Sequence, residues 1–341
     1  MGSAATVNWQ QWQRPVTLAA VVLVVLYALA GAFRSPDMGR FEIGAFATLP
    51  VQYNGRAQPV ETLARNSLRT ISGDTEIEIE APRPDGGTET VAMPAIHWLL
   101  EMTARPERAS GYPVFRIDHP DLRNLMELTS EDGKRVSFDR LQPNFGPLRE
   151  QAAQVPEDAS ERTAYEKAVV ALHNRLDLYF GLTQSFHPLG GTDGLLMEYA
   201  NWQMSLEPGR AALGAREAGE PFDQTAFNRF TGLADRYLDL SRSAVVGILP
   251  ADDPEQSWLN VGEGLLEAIR TGAVPEPITD HARLTVAWRN NQPQAFNEAV
   301  ANLHEATDTD AQFKVFWETI FQRSELFYRL AVGYALLCLG F

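Results

Sequence analysis

Residues 165–179 read YEKAVVALHNRLDLY, and this stretch decides the fold class. Tyr165, Ala168, Leu172, Leu176 and Tyr179 recur at intervals of three and four, so they share one face of an α-helix. The spacing returns in Phe227, Phe230, Leu233, Tyr237 and Leu240, and again in Phe296, Val300 and Leu303. Phe313, Phe316, Trp317 and Ile320 form a last stripe of this kind. Stripes at helical spacing usually face a core, and all four are read here as core. From residue 157 onward the chain is expected to be helical, with loops at 187–194 (HPLGGTDG) and 249–254 (LPADDP).

Upstream the pattern is mixed. Asn54-Gly55 is a strong turn signal, and Gly55 is expected to supply a backbone geometry barred to other residues. Pro59 is placed to open a helix at its first position, with Glu61 in the first turn and Gly73 as its stop. Leu63, Leu68 and Ile71 give that helix an apolar face. Residues 75–81 (TEIEIEA) alternate with period two and 88–92 are strand-like. With a turn at 82–87 they predict a β-hairpin whose glutamates face solvent. Residues 95–103 read as a helix, 114–117 and 135–138 as short strands, and Pro120 as a helix start with His119 as its cap. The expected fold is mainly α with a smaller α+β N-terminal part. A small α+β subdomain covers 34–150 and a helical subdomain 151–325, with the boundary near Pro143, Pro147 and Pro156.

Both ends are apolar. Residues 16–33 (VTLAAVVLVVLYALAGAF) are 18 residues without a charge. As a helix they cover roughly 27 Å, close to a bilayer's hydrocarbon core. Arg14 and Arg34 bracket them, and Trp9 and Trp12 suit the interfacial belt. Two readings stand: a transmembrane anchor, or a secretory signal cleaved near Ala28-Leu29-Ala30. Either one exports the rest of the chain. After Arg329 come 12 uncharged, mostly apolar residues, too few to span. Residues 326–341 read as the start of a truncated second transmembrane helix, or alternatively as a docked core helix. Cys338 within them reads as a packing residue.

All 44 acidic residues lie between these ends, and the formal charge is −15. That balance argues against nucleic-acid binding. The 45% hydrophobic content can fill a core. A lone cysteine excludes an internal disulfide, a CxxC redox pair, a Cys-rich zinc site and C-x-x-C-H haem attachment. No pair among His97, His119, His173, His187, His281 and His304 has the H-E-x-x-H spacing. His187 is the most ligand-like, before a Gly-rich loop that lacks the Lys-Ser/Thr of a P-loop. Asp308 and Asp310 lack the glycine and terminal glutamate of a calcium loop. No G-x-S-x-G elbow occurs. Local chemistry therefore assigns no catalytic residue and no metal ligand.

Residues 49–65 read LPVQYNGRAQPVETLAR. This stretch, through Leu49, Pro50, Val51, Gln52, Gly55, Arg56, Pro59, Thr62 and Arg65, resembles an LPVQ-x-x-GR-x-x-P-x-x-T-x-AR segment. That segment follows the first membrane helix in some bacterial cytochrome c biogenesis proteins of the System II type, in which ResB-like and CcsA-like parts form one machine. Residues 253–258 (DPEQSW), with Pro254 and Trp258, are similar to an acidic-Pro-x-x-x-Trp element later in the same extracytoplasmic region. Residues 324–329 (SELFYR), with Glu325, resemble the lead-in to the CcsA-like membrane helices. Order and spacing agree over nearly the whole chain.

The resemblance implies a membrane-anchored extracytoplasmic domain on the periplasmic side of the inner membrane. Such a domain precedes a polytopic haem-transfer module and has no activity of its own. Its implied partners are the membrane, CcsA-like or ResB-like subunits and apocytochrome c. In that family the membrane part carries a Trp-rich haem-binding loop and the haem-ligand histidines. The seven tryptophans here are scattered, so no haem ligand is carried over and haem is left to the partner module. An acidic domain favours a basic partner and disfavours free haem, whose propionates are anionic. Arg56, Arg65 and Arg69 either pair with core carboxylates or contact a partner. The alternative functions are a stand-alone exported ligand-binding or sensor domain, and an exported hydrolase built from distant Asp, Glu and His.

Overall fold

The computed structural model describes residues 39–83, 86–186, 194–251, 256–307 and 309–324, with Val22, Leu23, Leu26, Tyr27, Ala331, Val332 and Tyr334. A short helix α1 (Ile43–Phe46) leads into the hairpin β1 (Pro50–Tyr53) and β2 (Arg56–Pro59), then α2 (Val60–Ser72). A second hairpin, β3 (Glu76–Pro82) and β4 (Thr88–Pro94), is followed by α3 (Ala95–Ala104) and the single turn α4 (Pro106–Ala109). Then come β5 (Phe115–Arg116), α5 (Pro120–Leu125), β6 (Arg135–Val136) and α6 (Phe138–Leu141). The remainder is helical: α7 (Phe145–Ala153), α8 (Ala164–Gln184), α9 (Leu195–Glu217), α10 (Gln224–Ser243), α11 (Val261–Thr271), α12 (Glu276–Arg289), α13 (Pro293–Glu305) and α14 (Thr309–Ser324). The chain is thus mainly helical, with antiparallel strand pairs near its N-terminal side.

Local rules explain most of the first half. Asn54 and Gly55 both take positive φ, 51° and 74°, the geometry of a two-residue hairpin turn. Ile77 and Ile79 of β3 face inward while Glu76, Glu78 and Glu80 are exposed, as the alternation requires. Gly73 closes α2 in the left-handed region, its N–H bonded to the Arg69 carbonyl. Three expectations need correction. Pro59 is the last residue of β2, not the first of a helix. The N–H groups of Val60 and Glu61 bond back to the carbonyls of Leu49 and Ala47, which fixes the helix start after the proline. The strand at 135–138 stops at Val136, because the Ser137 hydroxyl accepts the Arg140 N–H and caps α6. His119 stands at the N-cap of α5 but makes no side-chain cap; its ring lies 4.0 Å from Asp121 instead.

One hydrophobic core runs from Phe41 to Leu303 and draws on both halves. Tyr179 of the opening stripe is its hinge: the ring stacks on Phe138 at 4.9 Å and meets Phe115 at 5.4 Å. Leu172 and Leu176 are buried beside it, as are Phe230, Tyr237 and Leu240 on α10 and Phe296, Val300 and Leu303 on α13. Two glycines allow close helix approach. A Cβ at Gly209 would meet the Phe230 ring at 2.3 Å, and one at Gly262 would meet the Ser241 backbone at 2.3 Å.

The last stripe departs from expectation. Among the described side chains of α14, Val315 and Thr319 are buried, whereas Phe313, Phe316 and Trp317 are 65%, 50% and 54% exposed. Ile320 is half-buried. The helix is rotated because its other face is held by polar bonds to the first hairpin and α2. Among the described residues no helix is long and apolar enough to cross a membrane. The spans expected at 16–33 and 326–341 fall almost entirely outside the described residues.

Candidate functional site

The residues singled out in 49–65 converge on a joint. Leu49, Pro50, Val51, Pro59 and Thr62 are buried, so they supply packing rather than a reactive surface. Gln52 is the connector. Its backbone N–H and C=O exchange hydrogen bonds with Gly247, both 2.8 Å, and its side-chain Oε1 accepts the Trp258 N–H at 2.8 Å. Leu249 pairs in turn with Leu259. The β1–β2 hairpin is thereby extended by residues 247–249 and 258–259, each joined antiparallel. Gly247 is required there: a Cβ would lie 2.7 Å from the Trp258 Cβ and 2.8 Å from its carbonyl oxygen.

A second contact ties the hairpin to α14. Glu318 accepts from the Arg56 guanidinium at 2.7 Å and from the Thr62 hydroxyl at 3.0 Å. Arg56 is well exposed, so its ion pair by itself contributes little; the buried Thr62 bond fixes the carboxylate. Arg65 pairs with the buried Glu61 at 2.6 Å, one helical turn away, and Arg69 is exposed. For Arg56 and Arg65 the core-carboxylate alternative is the one observed.

The segment before the hairpin is held by α13. The Glu42 N–H donates to Asn297, the Asn297 amide donates to the Arg40 carbonyl, and His304 bonds the Ala45 carbonyl at 3.0 Å. Phe41 packs edge-on against Trp288 and Phe296. The stretches adjoining both apolar runs, 40–48 and α14, are therefore tied together through α13, β1 and β2.

Two features were not legible in the sequence. Glu101 on α3 is buried with Arg105 at 2.5 Å, the Trp288 indole N–H at 3.0 Å and the Tyr112 hydroxyl at 3.3 Å. Burial first, then the charge of Glu101, pushes the Tyr112 hydroxyl up to about 12. The other is a cleft of about 450 Å³ between α7, α8 and the end of α10. Phe138, Phe145, Leu176 and Phe180 line it, together with Arg149 and Arg242. His173 also lines it, paired with Asp177 at 3.0 Å. The i, i+4 spacing of His173 and Asp177 was the one sequence signal for this place.

His281 is fully buried beside Phe186, and burial lowers its pKa to about 4, so it is neutral at pH 7. His187, Pro254, Glu325 and Asp308 lie outside the described residues. Among the described residues no group of three or more His, Cys, Asp or Glu is placed to hold a metal ion. Comparison with protein-family models and with curated proteins gave no match.

Proposed function

We propose that this chain is the membrane-anchored extracytoplasmic domain of a System II-type cytochrome c assembly machine. It acts by holding a haem-transfer partner or the apocytochrome rather than by making bonds. Haem is cargo of the partner membrane module, and no residue of this chain is assigned to it. One observation carries the reading. Gln52, Arg56 and Thr62, from the segment with the most specific resemblance, grip Trp258 of the second segment and Glu318 on the helix leading to the third. A joint of this kind transmits a fixed orientation from a domain to the membrane segment that follows it. The test is extraction of the full chain from its own membrane with a mild detergent, followed by affinity purification. Co-purification of a CcsA-like membrane protein is expected, and its absence overturns the reading.

A second reading, an exported ligand-binding domain, is favoured by the cleft lined by Phe180 and Arg149. It requires a small amphipathic anion to raise the melting temperature of the chain, and charge reversal of Arg149 to remove that shift.

A further inference from the structure

We propose that the exposed aromatic face of α14 lies in the headgroup interface of a lipid bilayer. Phe313, Phe316 and Trp317 fall at i, i+3 and i+4, so they share one side of the helix. The Trp317 ring meets Phe313 at 6.1 Å and Phe316 at 5.8 Å, both edge-on, and all three are at least half exposed. A cluster of three aromatic rings in water is costly unless something apolar covers it.

The opposite face of α14 is already used. Val315 and Thr319 are buried, and Glu318 is bonded to Arg56 and Thr62. The helix cannot roll to hide its rings without breaking that joint. Its outward face is therefore set by the first hairpin, and the covering partner has to come from outside.

Two observations point to lipid, and a third sets which kind. The chain passes from Ser324, the end of α14, into residues 326–341, where only Arg329 is charged. Trp317 thus precedes the most apolar stretch of the C-terminal half by only nine residues. Second, tryptophan with phenylalanine suits the bilayer interface, where an indole can keep its N–H hydrated while its ring is buried. Third, α14 carries Asp310 and Glu318 against Lys314 and Arg323, so it is neutral overall. A neutral helix on a chain of charge −15 has no electrostatic pull toward anionic lipid. Its contact is apolar and should be as strong on zwitterionic lipid. The competing occupants are a second copy of the chain and residues 16–33. In that run Val22, Leu23 and Leu26 are themselves exposed.

This inference rests on the membrane-anchored part of the proposed function, and the experiment separates the two. The full chain carrying Cys338→Ser receives a single cysteine at position 313, 316 or 317, or at the exposed Met197 on α9 as the reference. Each is labelled with an environment-sensitive fluorophore and reconstituted into phosphatidylcholine vesicles, with or without bromine on the upper acyl chain. Flotation on a density gradient reports anchoring. The expected result is flotation of all variants, blue-shifted emission at 313, 316 and 317 with at least twofold quenching by the brominated lipid, and no quenching at 197. Replacing a third of the lipid by an anionic one should leave the quenching unchanged. Flotation without quenching at 313, 316 and 317 overturns the inference and leaves anchoring intact. A blue shift that bromine does not quench assigns the face to protein and overturns it equally. Failure to float overturns both.

Discussion

Replacing Gly247 by alanine tests the joint directly. The added methyl would sit 2.7 Å from the Trp258 Cβ and 2.8 Å from its carbonyl oxygen. Neither atom belongs to the free end of a flexible side chain, so backbone has to move. Overpacking of this kind costs about 1–3 kcal/mol. Moving Trp258 also stretches its N–H bond to Gln52, and moving Gly247 strains the paired bonds to Gln52, at about 1 kcal/mol for each bond lost. A loss of about 2–4 kcal/mol is expected. With a urea slope of about 3 kcal/mol/M the unfolding midpoint should fall by about 1 M. The assay is equilibrium unfolding of the full chain in mild detergent, followed by far-UV circular dichroism. Gly232 on α10 supplies the opposite sign: nothing lies within 4 Å of a Cβ there, and the position is exposed. Gly232→Ala should stabilise by about 0.5–1 kcal/mol, the ordinary helix preference of alanine over glycine. An unchanged midpoint for Gly247→Ala, or equal effects of the two substitutions, would refute the close approach and with it the joint.

Three further outcomes follow from buried ionisable groups. His281 titrates at about 4 in the folded chain against an ordinary 6.5, because burial penalises its cation. The unfolded chain therefore binds the extra proton between these values, and stability is complete above pH 6.5 and lost as pH falls toward 4. The loss amounts to about 3 kcal/mol. His281→Leu should remove one proton's worth of slope from the midpoint-versus-pH curve in that window, and an identical slope would sink the assignment. Glu101→Ala removes the carboxylate that Arg105, the Trp288 indole and Tyr112 share, leaving Arg105 only the Trp288 and Arg289 carbonyls, and should cost about 3 kcal/mol. The same change should bring the Tyr112 hydroxyl down from about 12 without reaching its ordinary value, since burial is the larger cause; ultraviolet difference titration reads this.

Fold class was largely written in periodicity. The stripes on α8, α10 and α13 face the core because a buried helix face needs an apolar side chain every third or fourth residue, whatever packs on it. The turn at 54–55 and the hairpin at 76–94 were legible because turn chemistry and strict alternation are local. The same rule failed at α14. Its rings have helical spacing, but spacing says only that residues share a face, not which face is covered. Glu318 decided that, through partners more than 250 residues earlier. The motif residues of 49–65 were visible as a string, but their role was not. Gln52 and Trp258 are 206 positions apart, and nothing local announces that a glutamine side chain will accept a distant backbone N–H.

The sequence by itself determined a mainly helical, strongly acidic chain with mixed structure first, helices after and an apolar run at each end. These follow from short-range preferences and charge, which act residue by residue. Only the tertiary structure decided that the hairpin, the Gly247–Trp258 region and α14 form one joint. It alone decided that Glu101 and His281 are buried, and that three aromatic rings face outward. Those outcomes depend on which surfaces meet, and that is settled by packing the whole chain at once.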